Sequence, residues 1–234
     1  MNLLLLSNSS SDAGYLTHAL PWISDLAAGL PEGPALFLPY AGVTRSWDDY
    51  AGLVAGALAP AGIAVQSLHR EADAAAAVAR AALFIVGGGN TFQLLAQVRQ
   101  LGVLTQIARR VRSGQARYLG WSAGANLACP TIRTTNDMPI VDPGGLDALN
   151  LVPFQINAHY TEAHPPGHRG ETRRQRLAEF CRVDPVTPVV GLPEGTGLHV
   201  LDTRVAVLGG QPAVLLQGDA PLRELTADTL EVQA

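Results

Sequence analysis

Charge, cysteine and long apolar runs are all scarce in this sequence. Only 15% of its 234 residues are charged, and 16 Lys plus Arg stand against 20 Asp plus Glu, which leaves a formal net charge of −4. The basic residues do not form a long tract in the sequence. Proteins that bind nucleic acid concentrate positive charge, so we expect no nucleic-acid partner.

The two cysteines, Cys129 and Cys181, are isolated in the sequence. They indicate neither a disulfide framework nor a zinc site, and we expect no metal and no other cofactor. No segment approaches the roughly 20 apolar residues that cross a bilayer. The apolar run at 3–6 is short and lacks preceding basic residues, so it predicts a first core strand rather than a signal peptide. We therefore expect a cytoplasmic protein with no membrane partner.

Hydrophobic residues are plentiful, at 47% of the chain, and the length fits one domain over residues 1–234. Short apolar runs alternate with segments of helical spacing. The predicted buried strands are 3–6, 35–38, 63–68, 83–86 and 118–121, and the predicted helices are 47–58, 71–81 and 92–111, the last broken near Gly102. This alternation predicts an α/β fold, with a mostly parallel central sheet covered on both sides.

The second half of the chain differs in character. Residues 131–170 are rich in Pro, Gly, Asn, Asp and His and show little periodicity. A long irregular stretch inside a compact domain is more often functional than incidental. A helix is predicted at 171–180, and short strands at 189–192, 198–201, 205–208 and 214–217 are expected to form β-hairpins on one side of the sheet.

The segment from Gly120 to Gly124 has the G-x-S-x-G pattern of a nucleophile elbow, with Ser122 at its centre. Such an elbow is a sharp strand-to-helix turn that exposes a serine hydroxyl. The alternative is a small-residue turn with an incidental serine. Because an apolar strand precedes the turn and small residues follow it, we interpret Ser122 as a catalytic nucleophile.

A serine nucleophile needs a histidine base and an acid that orients the base. His159 follows a strand-like run at 155–158, a strand-end position comparable to that of Ser122, and is our first candidate. The other histidines are less suitable: His164 and His168 lie in a Pro/Gly loop, His69 follows an early strand, His199 lies in a predicted strand, and His18 has no comparable position. For the acid, Asp137 and Glu194 both qualify, and spacing does not choose between them.

A run of three glycines, followed by Asn90, joins the predicted strand 83–86 to a helix. It lacks the spacing of a dinucleotide site and the Lys-Ser/Thr of a P-loop, so a phosphate cradle is the weaker interpretation. We expect the bare amides of Gly88 and Gly89, together with the N–H of Ala123, to form an oxyanion hole. Asn90 is a candidate substrate-binding residue.

The segment 118–143 resembles peptidase E, the α-aspartyl dipeptidases of the S51 serine peptidase family. Shorter matches agree with it, at 4–9, 18–21, 41–44, 85–95, 170–173 and 191–195. The resemblance spans nearly the whole chain and weakens after Gly195. It implies a fold similar to the class I glutamine amidotransferase-like sandwich and hydrolysis of dipeptides, and some short substrates, with an N-terminal aspartate.

Carried onto matching positions, the resemblance makes Ser122 the nucleophile and His159 the general base. Asp137 and Glu194 both fall on family motifs; we keep both as candidate acids and place Asp137 first. Glu194, if it is not the acid, would be free to meet the amine of the substrate.

Recognition of the substrate aspartate requires a cation. Arg173 is our first candidate because a guanidinium grips a carboxylate with two hydrogen bonds, although it would equally suit a helix surface. Arg133 is the second, with bracing of the Asp137 loop as its alternative role. The expected partner is a small peptide, and a homodimer is left open.

Three rival functions stay open at this point. The first is a cyanophycinase-like hydrolase of aspartate-containing polymer, which requires an open groove. The second is a nonenzymatic small-molecule binder with an amidotransferase-like fold. A nucleotide-binding protein that uses the glycine run is a third and weaker option.

Overall fold

A computed structural model of the chain describes residues 1–163, 166–167, 169–226 and 230–231. The strands are β1 (Asn2–Leu6), β2 (Ser10–Ser11), β3 (Gly14–Tyr15), β4 (Ala35–Leu38), β5 (Val65–Ser67), β6 (Leu83–Val86), β7 (Arg117–Trp121), β8 (Gln155–Ala158), β9 (Val189–Leu192), β10 (Gly197–Leu201), β11 (Arg204–Leu208), β12 (Ala213–Leu216), β13 (Arg223–Leu225) and β14 (Leu230–Glu231). The helices are α1 (Leu20–Ala27), α2 (Trp47–Leu58), α3 (Ala74–Arg80), α4 (Thr91–Gln100), α5 (Leu104–Arg112), α6 (Ala123–Leu127) and α7 (Arg173–Val183).

Among the described strands, eight form one sheet in the order β14-β11-β10-β1-β7-β6-β4-β5. The strands from β1 to β5 in this order run parallel, whereas β10 is antiparallel to β1. In register, Leu6 lies beside Trp121 and Val86 lies beside Gly120. Because parallel strands end at the same edge, the residues that follow β1, β6 and β7 come together there.

Alternate residues along the strands are buried on opposite faces of this sheet. Leu3 and Leu5 pack in one core with α3, α4, α5 and α6, while Leu4 and Leu6 pack in a second core with α1 and α2. The central strands are covered on both faces, which explains why their sequences are continuously apolar. The predicted three-layer α/β sandwich with a mostly parallel sheet is confirmed.

The C-terminal strands form two hairpins. β10 and β11 extend the main sheet beside β1, and β12 pairs antiparallel with β13 in a second sheet of order β13-β12-β9-β8. The parallel pairing of β9 with β8, across α7, was not anticipated. In its register Ala158 lies beside Leu192. The residues that follow these two strands are therefore neighbours.

The helix predictions are close to the observed bounds. α2 has the predicted limits, and the predicted long helix is divided into α4 and α5 around Gly102, whose φ is +68°. α7 begins at Arg173 because Thr172 and Gln175 form a capping box in front of it. Within the described ranges, no helix is both long and apolar enough to cross a membrane.

Candidate active site

The turn between β7 and α6 presents Ser122 with a strained backbone, at φ 51° and ψ −114°. Glycine is required on both sides of the serine. A Cβ on Gly120 would lie 2.5 Å from the carbonyl oxygen of Gly124, and a Cβ on Gly124 would lie 2.1 Å from the carbonyl oxygen of Val86. The elbow sequence therefore follows from close packing of the turn against β6, and strain of this kind is concentrated at functional sites.

His159 follows β8 and faces this serine. Its Nε2 lies 3.0 Å from Ser122 Oγ, and its backbone has a φ of 54°. Its side chain is 39% exposed, so a substrate has access to the ring. The sequence-predicted nucleophile and base lie within hydrogen-bond distance.

Glu194 lies behind the histidine. Glu194 follows β9, and its Oε1 is 2.7 Å from His159 Nδ1. The register of β8 with β9 brings the two residues together. A carboxylate at Nδ1 keeps the proton of the neutral imidazole on that nitrogen. Nε2 is then free to accept a proton from Ser122.

Asp137 does not contact His159, which reverses the order that we gave the two acids. Its Oδ2 accepts hydrogen bonds from Thr91 N at 2.8 Å, from Thr91 Oγ1 at 2.5 Å and from Thr135 Oγ1 at 3.0 Å. These bonds hold the carboxylate at the N-terminus of α4, where a negative charge is favourable. Asp137 nevertheless lines the same cleft as Ser122.

Sequence reasoning missed the part played by Ser7 and Asn8, which follow β1. Ser7 is fully buried; its Oγ accepts from His159 N at 2.9 Å and donates to the carbonyl of Leu192 at 2.8 Å. Asn8 Oδ1 accepts from Gly195 N at 2.8 Å. The end of β1 thus ties together the two loops that carry the base and the acid. Their position after a strand was visible in the sequence, but their partners were not.

The glycine loop after β6 lies against the elbow. A Cβ on Gly88 would be 3.1 Å from Ser122 Cβ, and Gly89 has a φ of +138°. In the part of the chain that the structure describes, the N–H groups of Gly88 and Gly89 donate to no protein acceptor, and the N–H of Ala123 opens α6, where an N–H has no partner inside the helix. Unpaired N–H groups beside the serine can stabilise an oxyanion.

A cleft of about 760 Å³ opens over these groups. Among the lining residues are Ser122, His159, Asn90, Asp137 and Arg45. Asn90 also fixes the loop, because its side chain accepts from Gln93 N at 3.0 Å and donates to the carbonyl of Met138 at 2.8 Å. Among the described residues, no group of three or more His, Cys, Asp or Glu could hold a metal ion.

The two arginines proposed for the substrate carboxylate occupy different surroundings. Arg173 is half-buried beside the base, with Nη1 3.1 Å from Asn157 Oδ1 and 3.4 Å from the carbonyl of His159. It forms no ion pair with any described carboxylate, and burial lowers the pKa of its guanidinium. Arg133 is paired with Asp184 at 2.7 Å and stacked on Phe180, and neither arginine is in the cleft lining.

The remaining histidines lie away from the cleft where the structure describes them. His69 contacts Ser67 and Asp48, His199 contacts Asn2, and His18 packs against Trp22. His164 and His168 lie outside the described residues.

Known peptidases are similar to this chain in sequence. The sequence model of peptidase family S51 matches residues 3–208. Peptidase E of Salmonella newport (strain SL254) and peptidase E of Salmonella typhimurium (strain LT2) are each 56% identical over 211 residues, which are 90% of this chain and 90% of the relative.

Two solved structures share the fold. A peptidase from an acI-B1 actinobacterium has a TM-score of 0.69 and 16% identity, over 98% of this chain and 96% of its own. A Listeria monocytogenes EGD-e protein described as a peptidase E has a TM-score of 0.68 and 22% identity, over 90% of this chain and 98% of its own. At these identities the likeness supports the fold alone.

Proposed function

The chain belongs to peptidase family S51, and on that basis we propose that it is a serine exopeptidase that hydrolyses dipeptides, and some short peptides, beginning with aspartate. The observation that carries the proposal is the hydrogen-bonded series from the Ser122 hydroxyl through the His159 imidazole to the Glu194 carboxylate. A serine hydroxyl becomes a nucleophile when an adjacent base accepts its proton. The relatives named peptidase E support the same class of reaction.

Acylation begins when Ser122 Oγ attacks the carbonyl carbon that follows the N-terminal aspartate. His159 Nε2 accepts the hydroxyl proton, and the Glu194 carboxylate stabilises the resulting imidazolium. The carbonyl oxygen becomes an oxyanion that accepts from the N–H of Ala123 and from the glycine loop. Loss of one such donor raises the barrier by about 3 kcal/mol.

The acyl-enzyme then forms and is hydrolysed in three proton transfers. The imidazolium of His159 gives its proton to the departing amine as the C–N bond breaks, which leaves the aspartyl ester on Ser122. Water attacks this ester while the same nitrogen accepts a water proton, and the proton returns to Ser122 as free aspartate leaves.

Specificity for the side-chain carboxylate is assigned to Arg173. The guanidinium is half-buried and has no carboxylate partner among the described residues, so an anion that reaches it gains a charge-assisted hydrogen bond. Its Nη1 lies 3.4 Å from the carbonyl oxygen of His159 and Arg173 does not line the cleft, so contact with substrate requires its side chain to turn toward the cleft.

Specificity for the free amine is assigned to Asp137. The three hydrogen bonds that it accepts from described residues are all made to Oδ2, so we assign Oδ1 to an ammonium group in the cleft. A carboxylate at this place explains a requirement for an unblocked N-terminus, because an acetylated substrate offers it no positive charge.

The test is a substrate panel of Asp-Leu, Asn-Leu, Glu-Leu and acetyl-Asp-Leu, assayed with the wild type and Ser122→Ala. We expect hydrolysis of Asp-Leu that is lost in Ser122→Ala and kept in Ser113→Ala, a serine remote from the cleft. Undiminished cleavage of acetyl-Asp-Leu, or cleavage within an aspartate polymer, would contradict the exopeptidase and favour the cyanophycinase-like alternative. Binding of the peptides without hydrolysis would favour the nonenzymatic binder.

The same panel tests Arg173. Arg173→Gln is expected to reduce the preference for Asp-Leu over Asn-Leu by at least about tenfold, since a charged hydrogen-bonded pair is lost. Arg174→Gln is the matched control, because Arg174 is the exposed neighbour on α7. An unchanged Asp/Asn preference in Arg173→Gln would remove that residue from the specificity site.

A further inference from the structure

A buried tyrosine holds the glycine loop beside the proposed nucleophile. The hydroxyl of Tyr50 lies 2.9 Å from the carbonyl oxygen of Gly88 and 3.3 Å from the hydroxyl of Tyr15. A carbonyl oxygen can only accept, so Tyr50 donates its proton to Gly88, and its oxygen accepts the proton of Tyr15. The two hydroxyls therefore form a directed chain that ends on the backbone of the loop.

The direction of one bond in this loop fixes the direction of another. The carbonyl of Gly88 and the N–H of Gly89 belong to the same peptide unit, and the described residues include no cis peptide. In a planar trans peptide the C=O and N–H bonds point in opposite directions. The Gly89 N–H has no protein acceptor within the described ranges. The hydrogen bond from Tyr50 to the Gly88 carbonyl therefore fixes the direction in which this N–H points.

Close packing leaves this loop little freedom to move. A Cβ on Gly87 would lie 2.5 Å from the Tyr50 hydroxyl, and one on Gly89 would lie 2.2 Å from the carbonyl oxygen of Ala41. Tyr50 itself is 4% exposed, and its ring packs edge to face on Phe37 with a centroid distance of 5.0 Å. The hydroxyl is thus a fixed point against which the loop is held.

Both tyrosines remain donors across the neutral pH range. Burial raises the pKa of Tyr15 above its usual value of 10.0 and raises that of Tyr50 further. Neither hydroxyl is ionised near neutral pH, so Tyr15 continues to donate to Tyr50 and Tyr50 continues to donate to the Gly88 carbonyl.

We propose that Tyr50 is a positioning residue for the peptidase reaction. Its hydroxyl holds the Gly88 carbonyl so that the Gly89 N–H points at the oxyanion, and Tyr15 supports Tyr50 by donating to that hydroxyl. The inference rests on the proposed serine mechanism, in which this N–H meets the oxyanion. An oxyanion exists only after the nucleophile has attacked. The aim of the donor therefore affects kcat and not the binding of substrate.

The first test is Tyr50→Phe, assayed with Asp-Leu. We expect kcat to fall by about 10- to 100-fold, a part of the loss that removal of a whole oxyanion donor causes, with KM changed by less than about threefold. The matched control is Tyr40→Phe, since Tyr40 is also buried but its hydroxyl has no hydrogen-bond partner among the described residues. A wild-type kcat in Tyr50→Phe, with activity still lost in Ser122→Ala, would overturn the inference and leave the proposed function intact.

A second test asks whether Tyr15 acts only through Tyr50. Tyr15→Phe should lower kcat less than Tyr50→Phe does, and the double variant should match Tyr50→Phe alone. Effects that multiply in the double variant would show that Tyr15 acts independently, against the inference.

A third test does not depend on peptide hydrolysis. The rate of phosphonylation of Ser122 by a small fluorophosphonate also depends on stabilisation of the developing oxyanion, and it should fall in Tyr50→Phe but not in Tyr40→Phe. Equal labelling rates in the wild type and Tyr50→Phe would overturn the inference about Tyr50, whether or not the wild type cleaves dipeptides. A failure of the wild type to cleave dipeptides would by itself refute only the proposed function.

Discussion

At the scale of single residues, two carboxylates near Ser122 have different surroundings and, in our proposal, different tasks: Asp137 lines the cleft, and Glu194 hydrogen-bonds to the base. Glu194 is 66% exposed and, among the described residues, its side chain hydrogen-bonds to the Nδ1 of the base alone, an arrangement that suits an orienting acid. Asp137 is held by backbone and hydroxyl donors at the start of α4 and keeps one oxygen for substrate. The sequence named both residues, but the choice depended on a contact across β8 and β9 that spacing does not reveal.

The two roles are separable with a reagent that has no amine. Glu194→Gln should slow both Asp-Leu hydrolysis and fluorophosphonate labelling, by at least about tenfold, because the imidazolium loses its charged partner. Asp137→Asn should weaken Asp-Leu hydrolysis to a similar degree but change the labelling rate by less than about threefold, because labelling requires no ammonium contact. Kinetic assays and mass-spectrometric labelling rates make the comparison. The reverse pattern, with labelling slowed only in Asp137→Asn, would return Asp137 to the role of triad acid.

At the scale of elements, the residues that follow β1, β6, β7, β8 and β9 build the site. The sequence predicted β1, β4, β6 and β7 almost to the residue, because strands buried on both faces have continuous apolar runs. It also placed Ser122 and the glycine run directly after strands, and parallel strands bring such positions to one edge of the sheet. The pairing of β8 with β9 could not be predicted, because a parallel crossover through α7 is a nonlocal contact with no turn residue to mark it.

The end of β1 is the element on which the base and the acid both depend. Ser7→Ala leaves the His159 N–H without a partner among the described residues, whereas the Leu192 carbonyl keeps the hydrogen bond from Tyr160 N at 2.9 Å. We expect the free energy of unfolding to fall by about 1–3 kcal/mol and kcat to fall by about tenfold as the base loses its position. Ser67→Ala is the matched control, since Ser67 is also buried and bonded to a histidine, His69. Urea unfolding and Asp-Leu kinetics measure the two effects.

In that comparison the control should lose stability and keep its activity. If the loss of kcat follows the loss of unfolding free energy equally in Ser7→Ala and Ser67→Ala, Ser7 does not position His159.

At the scale of the whole molecule, we propose that residues 1–234 form one domain and expect a single cooperative unfolding transition. Stability should depend on pH through His18 and His199, whose pKa values burial lowers from the usual 6.5. The unfolded chain binds protons at these sites more readily than the folded chain, so the free energy of unfolding decreases as the pH falls below about 6.5. Urea unfolding at pH 7.5 and 5.5 measures the decrease.

The double variant His18→Gln/His199→Gln supplies the control for this pH effect, because it removes both titrating groups. Its stability should change less between the two pH values than that of the wild type. An identical change in both proteins would assign the pH dependence to other groups.

Activation of Ser122 by His159 determines where a fluorophosphonate attaches to the protein, and the attachment site is measurable. Trypsin cuts after Arg117 and Arg133 and releases the peptide 118–133, in which Ser122 is the only serine. Cys129 in the same peptide is buried, and burial raises the pKa of its thiol to about 12, so it does not compete. We expect tandem mass spectrometry to find the label on Ser122 in the wild type and no label there in His159→Ala. A label on another residue, or equal labelling of Ser122 in His159→Ala, would refute activation of Ser122 by His159.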